Sequence, residues 1–114
     1  MTVNITQLQF VAPIQVGVAD LAPYYTTPTL TTARIGRAVF TNTSASAVTI
    51  TAGITTGNAL VASNTMISSF PLAAGQAYVA AEFAGAVIPA GSQLRALSNT
   101  FQAVTFTASG IISQ

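Results

Sequence analysis

Two carboxylates and three guanidinium groups are the charged side chains of this sequence, and they limit the chemistry that it could perform. A carboxylate pair such as Asp20 and Glu82 could act as acid and base in glycoside hydrolysis if folding brought them together. These two acids lie far apart in the sequence, which makes that signal weak. The chain also contains no His or Lys that could activate one of its many Ser and Thr hydroxyls as a nucleophile. We therefore predict no catalytic residues and a protein that is not an enzyme.

Cofactor and metal sites lack their usual residues as well. Thiolate and imidazole groups are the preferred ligands of transition metals, and the sequence contains neither Cys nor His. No glycine-rich dinucleotide fingerprint, P-loop or nucleophile elbow occurs. We expect no cofactor and no metal.

The charge content is also informative about partners. Charged residues make up 4% of the chain and the net charge is +1, whereas soluble domains typically contain about 25% charged residues. So weak a positive field would not attract DNA, RNA or an anionic membrane. No apolar run reaches the roughly 18 residues of a membrane helix. We predict neither a nucleic-acid partner nor a membrane partner.

Cysteine usage and the start of the chain bear on the compartment. The chain has no Cys, which fits folding in a reducing cytoplasm. Its start, MTVNITQLQF, shows no basic segment followed by an apolar run, so we expect no signal peptide. A secreted pilus or surface-layer subunit could have a similar composition, but this expectation argues against it.

Alternation of apolar residues with Thr predicts β-structure. Val48–Ala52 and Val104–Ser109 each place apolar groups on one side and hydroxyls on the other, as a half-buried strand does. Frequent turn signals separate short strands, which favours an all-β fold: a single-domain antiparallel β-sandwich of jelly-roll or Ig-like type. The predicted strands are Ile5–Phe10, Arg34–Asn42, Ala47–Gly53, Thr65–Leu72, Gln76–Phe83, Gln93–Ser98 and Gln102–Ile112.

The N-terminal part differs from the rest of the chain. We divide the single domain into residues 1–32, an N-terminal strand and an extended Pro-containing arm, and residues 33–114, the β-sandwich core. The segment Val11–Thr32 contains three of the five Pro residues, which limit strand pairing. Two interpretations stay open: a loop packed on its own domain, or an arm that reaches an adjacent molecule.

Two predicted strands carry apolar groups on both faces, in Ile35–Phe40 and in Tyr78–Phe83. A strand that is apolar on both faces is expected to be covered on both faces. The second cover could be a loop or another subunit, and we favour a neighbouring subunit.

Five residues are candidate interface residues because Arg and Tyr are common anchors of protein contacts. Arg34 and Arg37 would lie on opposite faces of a regular strand. Tyr24 and Tyr25 form an aromatic pair next to Pro23 that could dock on a domain, or stack on a carbohydrate. The alternative for each Arg is a surface residue that aids solubility. The candidate interface residues are Tyr24, Tyr25, Arg34, Arg37 and Arg95.

Three stretches resemble a known family. They are PYYTTPTLTTARIGRAVFTNTSASAVTITAGI, SSFPLAAGQAYVAAEFAGAVIPAGSQLRALS and AVTFTASGIIS. Together they are similar to small virion structural proteins of tailed bacteriophages, with a Tyr-Tyr-Thr element, an arm, alternating Val-Thr strands and two Gly turns. The resemblance covers Pro23 to the end of the sequence.

The resemblance implies a virion component assembled in the host cytoplasm, without catalytic residues. We expect a capsid decoration or cement protein that stabilises the shell through oligomeric, low-charge protein–protein contacts. Its partners would be itself, as a homotrimer, and other virion proteins such as the major capsid protein. The alternative is a tail, neck or fibre component, which could include a receptor- or glycan-binding tip.

Overall fold

The alternating strands form two antiparallel sheets in the computed structural model, which describes residues 4–19 and 23–114. The sheets pack together around a shared apolar core, which confirms the predicted all-β sandwich. Sheet A has the order β1-β9-β3-β6, with β7 also pairing with β3, and sheet B has the order β2-β8-β4-β5. The strands are β1 (Ile5–Gln15), β2 (Tyr25–Thr26), β3 (Thr32–Asn42), β4 (Val48–Thr55), β5 (Thr65–Leu72), β6 (Ala77–Val79), β7 (Val87–Ile88), β8 (Gln93–Ser98) and β9 (Val104–Ser113).

The core follows from the period-two pattern of the longer strands. In β4, Val48 and Ile50 are buried and the Thr between them is half-buried. In β3 and β9, the Phe40 and Phe106 rings stack with their centroids 4.3 Å apart and lie nearly parallel, at 2°. Both rings are fully buried. Burial of a Phe side chain contributes about 1.5–3 kcal/mol, so this pair anchors the centre of sheet A to the core.

A β-bulge interrupts β3. Ile35 pairs with Gly110 and Arg37 pairs with Ser109, so Gly36 is the extra residue on β3. Ile35 is therefore buried together with Ala38, although a regular strand would place them on opposite faces. The bulge therefore explains why apolar residues appear on both predicted faces of β3. No neighbouring subunit is needed to cover Ile35 and Ala38, because the domain itself buries them.

The second double-sided segment is not one strand. The strand predicted over Gln76–Phe83 is too long, because β6 ends at Val79 and a short 3-10 helix occupies Ala81–Phe83. The helical turn rotates the chain and carries Phe83 into the core, where it is fully buried. The domain itself therefore covers Ala80 and Phe83, whereas Val79 stays 51% exposed.

The predicted N-terminal strand is longer than expected. β1 continues past Phe10 to Gln15 and pairs with β9 along its length, with register shifts near Val11. Pro13 is tolerated there because β1 is an edge strand of sheet A. The described part of the predicted arm packs on its own domain, where Thr27 is buried and its hydroxyl donates to the Ile88 carbonyl at 3.2 Å.

Residues 20–22 of that arm, including Asp20, lie outside the described residues. The principal extents of the fold are 52 × 24 × 19 Å, so the molecule is elongated. Within the described residues, no helix has the length and apolar character needed to span a membrane.

Candidate protein interface

The outward-facing side of sheet A is the surface on which two of the predicted interface residues, Arg34 and Arg37, meet. Strand register aligns Gln7, Ile111, Arg34 and Val87 in one row across four strands. The next rows are Gln9–Ser109–Arg37 and Thr107–Val39–Val79. We call these ten residues the sheet A outer face: Gln7, Gln9, Arg34, Arg37, Val39, Val79, Val87, Thr107, Ser109 and Ile111.

The two Arg residues of the sheet A outer face lie on the same side of the sheet. The prediction placed Arg34 and Arg37 on opposite faces of a regular strand, and the bulge at Gly36 makes that wrong. Both side chains are exposed. Within residues 4–19 and 23–114, neither guanidinium forms a hydrogen bond or an ion pair. Two positive groups therefore project from this face with their donors directed to solvent.

Apolar side chains share this face. Val79 is 51% exposed, Val87 41% and Ile111 37%. Such residues are common singly on protein surfaces, but here they lie in the same rows as the two Arg residues. The face therefore combines apolar contact area with two guanidinium groups, and Arg is among the residue types enriched at protein interfaces.

A shallow groove runs across the middle of the face. A depression of about 580 Å³ spans β1, β9 and β3, and a second of about 280 Å³ adjoins it. Both are lined by Gln9, Arg37 and Ser109. The groove lies at the bulge, where Gly36 contributes no side chain. The bulge thus both brings the two Arg residues to one face and opens space beside Arg37.

Tyr24 and Tyr25 pack against their own domain. The Tyr24 ring meets Phe106 edge-on at 5.9 Å, and its hydroxyl accepts a hydrogen bond from the Gly17 backbone N–H at 3.0 Å. The Tyr25 ring lies 4.7 Å from Phe10. Burial raises the pKa of Tyr25, and a hydrogen bond with Thr27 partly offsets that effect. Both residues are half-buried and each ring packs against a Phe ring, so neither is fully open for carbohydrate stacking.

Arg95 lies in sheet B, apart from the other two Arg residues. It is 9% exposed, and its Nε and Nη2 donate to the Gln93 Oε1 atom at 3.0 and 2.8 Å. It pairs across the strands with Gly53, which the segment after β4 covers so closely that a Cβ atom at Gly53 would lie 2.2 Å from the Asn64 carbonyl oxygen. The five predicted residues therefore do not form one site: Arg34 and Arg37 lie on the sheet A outer face, Tyr24 and Tyr25 pack on the domain at β2, and Arg95 lies in β8.

Sequence reasoning missed most of the residues of the sheet A outer face. The signal was present in β9, because Thr107, Ser109 and Ile111 alternate with buried or half-buried neighbours. It also missed Leu30, which is 93% exposed and has left-handed backbone with φ of 58°. An apolar side chain held at a turn tip in this conformation is unusual, since the left-handed region disfavours β-carbon-bearing residues.

Within residues 4–19 and 23–114, Glu82 is the only acidic residue, and its Oε1 accepts a hydrogen bond from the Tyr78 hydroxyl. No group of three or more His, Cys, Asp or Glu residues gathers within this part of the chain. No protein-family model, curated protein or solved structure matches the sequence or the fold.

Proposed function

We propose that this chain is a non-enzymatic structural protein that acts by burying the sheet A outer face against other proteins. The observation that carries the proposal is the composition of that face, where exposed Val79, Val87 and Ile111 accompany two Arg residues without partners in the described chain. The Thr and Ser hydroxyls of the sheet A outer face can form hydrogen bonds with water. Apart from the two guanidinium groups, which need acceptors on the partner, the described residues of this face carry no charge whose desolvation would oppose binding.

The magnitudes favour repeated contacts over a single strong one. Burial of about 300 Å² of apolar surface contributes about 7 kcal/mol, whereas association costs roughly 4–15 kcal/mol. One copy would therefore bind weakly. Linked copies bind more tightly because each later contact forms at a high effective concentration. A protein arranged symmetrically on a large assembly would suit this surface.

The sequence resemblance favours a tailed-phage virion as the assembly. The chain would be a capsid decoration or cement protein, and the major capsid protein would be its partner. A homotrimer would provide the linked copies. A tail, neck or fibre component could use the same face in the same way and is the alternative. A glycan-binding tip is less favoured, because Tyr24 and Tyr25 pack inward.

Co-sedimentation with assembled particles tests the proposal. The particles are made from the major capsid protein encoded nearest to this chain's gene, and tail proteins from the same gene cluster serve as the alternative partner. The test variant is Val79→Glu on the sheet A outer face. The matched control is Val61→Glu, because Val61 has nearly the same exposure, 52% against 51%, and lies in the segment after β4.

We expect wild type and Val61→Glu to pellet with capsid particles and Val79→Glu to stay in the supernatant. A carboxylate at position 79 would lose its hydration in the contact and oppose binding, whereas a carboxylate at position 61 would remain solvated. Circular dichroism establishes that both variants are folded. Equal pelleting of the two variants would show that another surface binds, and binding to tail proteins alone would move the protein to the tail.

A further inference from the structure

We infer that the groove beside Arg37 binds an extended segment of a partner protein that carries a carboxylate. This inference rests on the proposed function, since it names the chemistry of the partner at the sheet A outer face. The argument starts from charge: within the described residues, the face holds two guanidinium groups and no Asp or Glu. A carboxylate is the protein group that matches a planar guanidinium with two parallel hydrogen bonds.

The groove supplies partners beyond Arg37. Gln7 and Gln9 line it from β1, and Ser109 lines it from β9. Their amide and hydroxyl groups can both donate and accept hydrogen bonds, so they suit a peptide backbone on either side of the carboxylate. The apolar positions Val39 and Ile111 lie at the two ends of the groove. An extended segment with an acidic residue between apolar ones would meet each of these groups in turn.

A second copy of the same face does not fit. Two such faces placed together would bring like charges into contact and supply no acid to either. Glu82, the described carboxylate of a copy, lies beyond β6 and already accepts the Tyr78 hydroxyl. A nucleic acid is also disfavoured, because the whole chain contains three Lys or Arg residues, one of them buried, and phosphate-backbone binding needs many cationic contacts. Charge complementarity therefore selects an acidic segment of a different protein.

Selection from a displayed library of random short peptides on the immobilised wild-type protein tests the inference. Enriched peptides are then measured by fluorescence anisotropy against wild type, Arg37→Gln and Arg37→Lys. A matched control peptide replaces each Asp or Glu by Asn or Gln. Because Arg37 is exposed and forms no hydrogen bond within the described residues, Arg37→Gln should fold as wild type, which its unfolding midpoint verifies.

We expect the enriched peptides to contain Asp or Glu and to bind Arg37→Gln at least about tenfold more weakly. Arg37→Lys should recover part of the loss, because it keeps the charge and loses the two-pronged geometry. The amide control peptide should bind wild type and Arg37→Gln equally weakly.

Three results would overturn the inference: no enrichment, enriched peptides without acids, or acidic peptides that bind Arg37→Gln as tightly as wild type. Tighter binding of a single-stranded oligonucleotide than of any peptide would also overturn it. The proposed function is tested separately. If Val79→Glu prevents particle binding while Arg37→Gln pellets normally, the face is an interface but its partner does not use a carboxylate there.

Discussion

Asn42 is a buried polar residue that ties three segments of the chain together. Its Nδ2 donates to the carbonyls of Ser46, Leu72 and Ala73 at 2.8, 3.1 and 3.2 Å. Its Oδ1 accepts from the backbone N–H and the hydroxyl of Ser44 at 2.9 and 2.7 Å. One side chain thus fixes the end of β3, the turn into β4 and the end of β5.

Replacing Asn42 by Ala should lower the free energy of unfolding by about 3 kcal/mol, because several buried polar groups would lose their partners. Asn99→Ala is the matched control. Asn99 is exposed, and its Oδ1 accepts from the Thr49 backbone N–H at 3.0 Å, so its loss should cost less than about 1 kcal/mol. Urea denaturation measures both. Similar losses for the two variants would contradict the assigned role of Asn42.

A second residue-scale prediction concerns Tyr78. Its hydroxyl donates to Glu82, and that hydrogen bond, followed by partial desolvation and the negative charge, raises the pKa of Tyr78 above 10.0. The neutral phenol is therefore favoured in the folded state. This contribution to stability is present below pH 10 and is lost as the pH rises through the folded-state pKa of Tyr78.

Glu82→Gln should return the pKa of Tyr78 toward 10.0, because the charged acceptor is removed. The ring Cζ resonances of the Tyr residues, followed by NMR over an alkaline titration, report this directly. Tyr25 is the internal control, since burial is the main cause of its raised pKa and it should not change in the variant. An unchanged Tyr78 titration would show that Glu82 is not its partner in solution.

At the scale of elements, the bulge in β3 depends on close approach of β9. A Cβ atom on Gly110 would lie 2.0 Å from the Arg34 carbonyl oxygen and 2.9 Å from the Phe10 ring. A Cβ atom on Gly36, the bulged residue itself, would meet nothing closer than the Ser109 carbonyl oxygen at 3.6 Å. The two Gly residues thus lie on neighbouring strands at the same bulge, but a Cβ atom would clash at Gly110 and fit at Gly36.

Gly110→Ala should lower the free energy of unfolding by about 3 kcal/mol, since strand β9 must move away from β3 to admit the methyl group. Gly36→Ala should change it by less than about 1 kcal/mol, because the added methyl group makes ordinary contacts. Thermal unfolding of both variants measures the difference. If Gly110→Ala is as stable as wild type, the strands are further apart than described.

The same bulge marks the limit of what the sequence predicts about the fold. Thr65–Leu72 and Gln93–Ser98 match their predicted strands residue for residue, because flanking turn residues bound them clearly. In β3 the period-two rule fails at Gly36, since an extra residue shifts every later side chain by one position. A Gly inside a strand pattern often marks a bulge, but the pairing with β9 decides whether one forms at Gly36.

The candidate site shows the same limit. Arg34 and Arg37 were predicted as interface residues, but their common face depends on that bulge and could not be predicted. Val79 and Val87 come from short strands that pair with β3 at separate places. Their alignment with the Arg residues depends on pairing between segments distant in sequence. Residue types thus predict which chemical groups the surface carries, whereas the strand register determines which residues lie on the same face.

At the scale of the whole molecule, the low charge content has a consequence for assembly. Charged residues make up 4% of the chain and the net charge is +1, so contacts between the copies of the proposed homotrimer would depend mainly on apolar burial and hydrogen bonds. Ion screening has little effect on such contacts. Association of copies should therefore be nearly independent of salt, whereas binding of an acidic segment at Arg37 should weaken as salt rises.

We expect size-exclusion chromatography with light scattering to give three times the protomer mass of 11.6 kDa, and the same mass at about 0.15 M and about 1 M NaCl. Leu30→Asn provides a test of where copies meet. The exposed turn at Leu30 has left-handed backbone that Asn tolerates better than Leu, so the variant should fold at least as stably. If Leu30 lies between copies, Leu30→Asn reduces the mass toward 11.6 kDa; if it does not, the trimer persists and the contact lies elsewhere. A wild-type mass of one protomer at every concentration would contradict the homotrimer, and dissociation at high salt would show that charge pairs hold the copies together.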